Sequence, residues 1–134
     1  METNRAKELL KNATLAVIKG ESVKVFNERG IKTLLDILES NPSLLENASV
    51  ADKIVGKASA LLMVKGGVKE VYAETVSEGA LSVFGRYKIP VTFSARTAII
   101  INRAGTGQCP MECTVEKIDD PDEAFKALKQ KVKG

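Results

Sequence analysis

Ala13-Thr14-Leu15-Ala16-Val17-Ile18-Lys19-Gly20-Glu21-Ser22-Val23-Lys24-Val25-Phe26 is the stretch that decides the fold class. Its first half is apolar at nearly every position, the pattern of a strand buried on both faces. Lys19-Gly20-Glu21-Ser22 is a turn and Val23 to Phe26 partly alternates, so the stretch predicts an antiparallel hairpin. Upstream, residues 3–12 read as a short helix with Ala6, Leu9 and Leu10 on one face. Downstream, Ile31, Leu34, Leu35 and Leu38 stand at helical spacing until Asn41-Pro42 stops them.

Beyond the proline, helices and strands are expected to alternate. A helix is predicted from near Ser49 to Lys65, with Asp52 completing an imperfect capping box and Gly66-Gly67 ending it. Ile54, Val55, Ala58, Leu61 and Leu62 would form its apolar stripe. Val68 to Ala73 reads as a strand. Thr75-Val76-Ser77-Glu78 then reads as a capping box, with Thr75 as the cap of a helix that turns Ala80, Leu81, Phe84 and Tyr87 inward. Pro90 to Phe93 and Ala98 to Ile101 are two more candidate strands. Asp120-Pro121-Asp122-Glu123 starts the last helix, which would bury Phe125, Leu128 and Val132. Strands joined by helical crossovers imply a partly parallel sheet between helical layers. The expected fold is therefore α/β: a three-layer α/β/α sandwich, with a mixed sheet starting with an antiparallel hairpin. One domain is expected over residues 1–134.

Composition excludes several kinds of chemistry. The chain of 134 residues has no histidine and two cysteines, and its net charge is +3. Histidine is the commonest general base near neutral pH and the commonest metal ligand, so most triad and zinc chemistries are excluded. Two cysteines four residues apart make no disulfide framework, which fits a reducing compartment. No apolar run approaches the roughly 20 residues that span a bilayer, and the N-terminus has no signal-peptide core. A cytoplasmic location without membrane contact is expected. There is no basic stripe interleaved with aromatics, so nucleic acid is not an expected partner. No metal or cofactor is expected either.

The element order, together with Asp52-Lys53-Ile54-Val55-Gly56-Lys57-Ala58, Ile100-Ile101-Asn102-Arg103 and Cys109-Pro110-Met111-Glu112, resembles the cytidine deaminase-like fold. More closely, it resembles an uncharacterised prokaryotic family of unknown function assigned to that fold, along nearly the whole chain. The resemblance implies the fold and not the reaction. Active zinc deaminases carry His/Cys-x-Glu on the helix after the hairpin and Pro-Cys-x-x-Cys at the start of the next. The predicted helix from Val50 to Lys65 has no His, Cys or Glu, and Thr75-Val76-Ser77-Glu78-Gly79 has no Cys. Zinc needs three or four side-chain ligands, and two thiols do not supply them.

Three constellations remain as candidate sites. Pro110 suits the first helical position, which places Cys109 at a cap, Glu112 at the third position, and the thiol in the positive field of the helix end. Gly105-Thr106-Gly107, after an apolar strand, would form a backbone nest for phosphate or carboxylate, or simply turn the chain. Lys53 and Lys57, read as i, i+4 neighbours on a helix, would join Arg103 and Asn102 in a positive pocket oriented by Asp52 and Glu78. Gly56 within that helix marks close packing or ligand approach. Thr75 and Ser77 would add hydroxyls where the second zinc motif lies in an active deaminase. The leading expectation is a zinc-free, deaminase-like domain binding a small anionic or nucleotide-like ligand in the former active-site cleft. Two alternatives stand beside it. One is an enzyme using Cys109 as nucleophile, with Lys57 or Glu112 moving the proton; the other is a structural or interaction module, such as a homodimer.

Overall fold

The burial that Leu15 to Ile18 require is supplied by a five-stranded mixed sheet. The computed structural model describes residues 3–28, 30–101, 105 and 107–133. Strands β1 (Leu15–Lys19) and β2 (Ser22–Phe26) pair antiparallel, across a turn in which Gly20 takes a φ of 62°. The other strands are β3 (Ser49–Val55), β4 (Glu70–Ser77) and β5 (Val91–Thr97). Their order across the sheet is β2-β1-β3-β4-β5, with β1 antiparallel to β3 and the last three mutually parallel. The helices are α1 (Thr3–Leu9), α2 (Gly30–Ser40), α3 (Lys57–Gly66), α4 (Glu78–Arg86), α5 (Pro110–Thr114) and α6 (Pro121–Lys133).

Alternation along the strands sorts the two faces. Leu15, Val17, Val50, Val71 and Ala73 point into the main core, where α2, α3, α4 and α6 pack over them with Leu34, Leu61, Phe84 and Leu128. Each such buried side chain contributes about 1.5–3 kcal/mol. The intervening residues Ala16, Ala51 and Tyr72 form one row across β1, β3 and β4 and face the opposite side. Only Ala6 and Leu10, on or just after α1, complete that second cluster. A seven-residue helix is about 10 Å long, whereas five strands span about 19 Å. The outer face of β4 and β5 is therefore left open.

The structure corrects the element boundaries at several points. Ser49 to Val55 is a central strand, not the first half of a helix: Val50 and Ala51 pair with Val17 and Ala16 on one side and Val71 and Tyr72 on the other. The helix begins only at Lys57, with Gly56 as its N-cap, and ends at Gly67, whose φ of 80° suits glycine. Asp52 and Lys53 thus lie on β3, and Lys53 and Lys57 are not helical neighbours. Likewise β4 runs on to Ser77, so Thr75 is a strand residue and Ser77 is the cap, accepting from Ala80 N–H at 3.1 Å. Ala98 to Ile101 forms no strand beyond an isolated bridge from Ile101 to Gln108. Asp120 does cap α6, its Oδ2 accepting from Glu123 N–H at 2.9 Å, although Val132 is exposed rather than buried. Tyr87 is exposed too, with its hydroxyl on Asp119 O. No helix among the described residues is long and apolar enough to cross a membrane.

Candidate functional site

Parallel strands deliver their carboxyl ends, and the helix N-termini that follow, to one edge of a sheet, where ligands of such folds bind. Here that edge gathers Asp52, Lys57, Thr75, Ser77, Glu78 and Glu112. The α3 N-terminus is already filled. Gly56 has no side chain to cap it; instead the Glu112 carboxylate on α5 accepts from Lys57 N–H at 2.7 Å through Oε1 and from Ala58 N–H at 2.8 Å through Oε2. A Cβ at residue 56 would stand 2.1 Å from Glu112 Oε1, so the glycine marks close packing against the chain's own carboxylate. Glu112 is 5% exposed. Burial pushes its pKa up, while the two N–H donors and the Lys57 charge pull it back.

The neighbouring groups are committed as well. Lys57 Nζ lies 3.1 Å from Asp119 Oδ1 and donates to Glu116 O at 3.1 Å. Glu78 meets Arg96 at 3.5 Å on the surface, and Thr75 stands between Ile54 and Ala95 in the sheet register. Asp52 is 2% exposed and shares the packed face of its register partners Leu15 and Ala73. Its Oδ1 accepts from Ile54 N–H at 3.4 Å, and Oδ2 has no hydrogen-bond partner among the described residues. Burial pushes its pKa up to about 7, against the opposing pull of the Ile54 and Lys53 N–H groups. It is a buried acid next to the β1–β3 boundary, where strand direction reverses.

Cys109 is the N-cap of α5 and Pro110 its first residue, but the cysteine side chain makes no capping bond. Both cysteines are free, and Cys113 Sγ lies 3.7 Å from Gln108 Oε1. The two groups expected to move a proton for Cys109 are held elsewhere: Glu112 by α3, and Lys57 by Asp119 and Glu116. Gly105 is exposed with a φ of 72°, and Gly107 is half-buried. Asn102, Arg103 and Thr106, the other expected members of the anion loop, lie outside the described residues.

Lys53 points the other way, onto the open face. With Glu74 on β4 and Ser94 on β5 it lines a groove of about 510 Å³, together with Lys7, Leu10, Lys11 and Tyr72. Tyr72 and Ser94 join their hydroxyls at 2.5 Å on its floor. Lys11 pairs with Glu8 at 3.0 Å, whereas Lys7 and Lys53 form no ion pair among the described residues. Of this set the sequence pointed only to Lys53. Lys7, Lys11, Tyr72, Glu74 and Ser94 were missed, and the one available signal was the i, i+4 spacing of Lys7 and Lys11.

Residues 5–132 match the sequence profile described as a domain of unknown function, DUF1893. The chain belongs to the DUF1893 family. It is also similar to the crystal structure of a DUF1893 family protein (TM1506) from Thermotoga maritima, with a TM-score of 0.85 and 26% identity, over 98% of this chain and 92% of that one. No curated protein sequence matches. The family assignment carries no activity, so chemistry has to be argued from the donors present. On the described helix after the hairpin, α2, and on α3 after it, there is no His or Cys. Among the described residues no three His, Cys, Asp or Glu side chains group to hold a metal ion. The donors among the described residues do not fit a zinc site, and the α3 N-terminus is occupied by Glu112.

Proposed function

We propose that this DUF1893 domain is a zinc-free relative of the cytidine deaminase-like fold that binds a small anionic ligand, phosphorylated or carboxylated, in the groove between α1 and β3–β5. The fold assignment is supported by the element order and by the sheet order β2-β1-β3-β4-β5 with β1 antiparallel to its neighbours. The observation that carries the ligand class is the pair of ammonium groups, Lys7 and Lys53, that have no ion pair among the described residues and face a concave site where Glu74 is the one carboxylate among the described lining residues. Lysine recognises phosphate as a point charge, and the Tyr72 and Ser94 hydroxyls supply orienting hydrogen bonds. The two free cysteines support action in the cytoplasm.

The site differs from the one the sequence suggests, because the helix end that would attract an anion is satisfied internally. Calorimetric titration with nucleoside monophosphates, pyrophosphate and sugar phosphates tests the reading. At least one should bind, Lys53→Ala should weaken it about tenfold by removing one charge-assisted contact, and Lys57→Ala should leave it unchanged. A blank panel, or binding that ignores Lys53, would sink the proposal.

A further inference from the structure

The groove between α1 and β3–β5 is not uniformly positive. Lys53 stands on β3, and Lys7 and Lys11 come from α1 and the turn after it, so the ammonium groups enter from one side. Glu74 on β4 and Ser94 on β5 line the next two strands across. Two strand spacings carry this polar lining about 10 Å across the sheet. Glu74 makes no ion pair or hydrogen bond among the described residues, although three lysines line the same groove. An ionised carboxylate only accepts hydrogen bonds and repels an anion, so the part of a ligand lying against it must bring donors. Ammonium and hydroxyl groups both meet that need. Three lysines against one carboxylate disfavour a further cation. The floor favours hydroxyls: Tyr72 and Ser94 share one hydrogen bond, which leaves an O–H and lone pairs for a partner that both donates and accepts.

The lining also limits what else the ligand carries. Its one aromatic side chain among the described residues, Tyr72, is 2% exposed, and its one aliphatic side chain, Leu10, is 3% exposed. Neither presents a face on which a base could stack, the contact that proteins commonly use to hold one. We infer that the groove takes a sugar or polyol phosphate, with the phosphate on Lys7 and Lys53 and neighbouring hydroxyls on Glu74. A nucleobase adds nothing to binding, and Glu74 is the residue that sets specificity. This ligand class rests on the anion-binding reading proposed above, which would survive its failure.

Calorimetric titration of the full chain with a set of phosphate monoesters tests it. Glycerol phosphate should bind about tenfold tighter than propyl phosphate, which lacks only the two hydroxyls. It should also bind tighter than aminoethyl phosphate, and adenosine monophosphate should bind no tighter than ribose phosphate. Glu74 is exposed, so Glu74→Ala should keep the fold, which far-UV circular dichroism checks. The variant should weaken glycerol and ribose phosphates about tenfold. Propyl phosphate should bind it as well as before or tighter, because a repelling charge has gone. If Glu74→Ala does not fold, the comparison of glycerol with propyl phosphate decides. Should none of the monoesters bind, the anion-binding reading falls and this ligand class with it. Should they bind with glycerol and propyl phosphates equal, with aminoethyl phosphate tightest, with the base adding affinity, or with Glu74→Ala weakening all alike, the ligand class alone is overturned.

Discussion

The two faces of the sheet handle charge in opposite ways. The face covered by α2, α3, α4 and α6 buries two acids: Glu112, bonded to two backbone N–H groups, and Asp52, with one oxygen unpartnered. The face covered only by α1 leaves Lys7 and Lys53 at an open groove with no ion pair among the described residues. A helix N-terminus is an attractive place for an anion, yet here it is spoken for. The difference teaches that the position of a ligand site in a fold cannot be transferred without asking whether the chain already fills it.

The largest effect that would break this contrast belongs to Asp52. Its folded pKa of about 7 is raised above the unfolded value near 3.8, so the neutral form is favoured by folding. Stability from this group is complete below about pH 4 and is lost as pH rises to about 7, amounting to about 4 kcal/mol. Urea unfolding of Asp52→Asn should remove most of that pH slope, with the gain over the native chain largest at pH 8. A remaining slope of the same sign is expected from Glu112, whose pKa is also raised by burial. An unchanged slope in the Asn variant would show that Asp52 is not buried as described.

Next in size is the contact between Glu112 and α3. Glu112→Ala deletes a buried side chain and two hydrogen bonds, and should cost about 2–3 kcal/mol in urea unfolding. Gly56→Ala should cost about 2 kcal/mol by overpacking against the carboxylate. In the Glu112→Ala background most of the Gly56→Ala cost should vanish, a coupling that a double-mutant cycle reads directly. Additive costs would mean that the two residues do not touch. The smallest effect is Lys57→Ala. Its partner Asp119 is exposed, and the loss should stay below about 1 kcal/mol.

How far the sequence foretold this can be argued residue by residue. The turn at Gly20, the α2 stripe of Leu34, Leu35 and Leu38, and the Asp120 cap were legible because their signals are local. The central strand was not. Ile54 and Val55 lie at helical spacing from Ala58, Leu61 and Leu62, and the polar pair Asp52-Lys53 suggested a helix's outer face. Gly56 is the one residue that separates the two elements, and within a helical pattern a glycine reads equally as a mark of close packing or ligand approach. Its packing role is real, but the partner, Glu112, lies far along the chain and no spacing rule reaches it. The groove was hidden for a related reason: Lys7, Lys53, Glu74 and Ser94 come from four elements, and only the folded sheet brings them together.

Backbone amide shifts in a nitrogen–proton NMR titration with pyrophosphate and nucleoside monophosphates test the central claim most directly. The account predicts shifts clustered at Lys7, Lys53, Glu74 and Ser94, lost in Lys53→Ala. Shifts centred instead on Gly56, Lys57 and Ala58 would mean that the ligand displaces Glu112 from α3, and would contradict it.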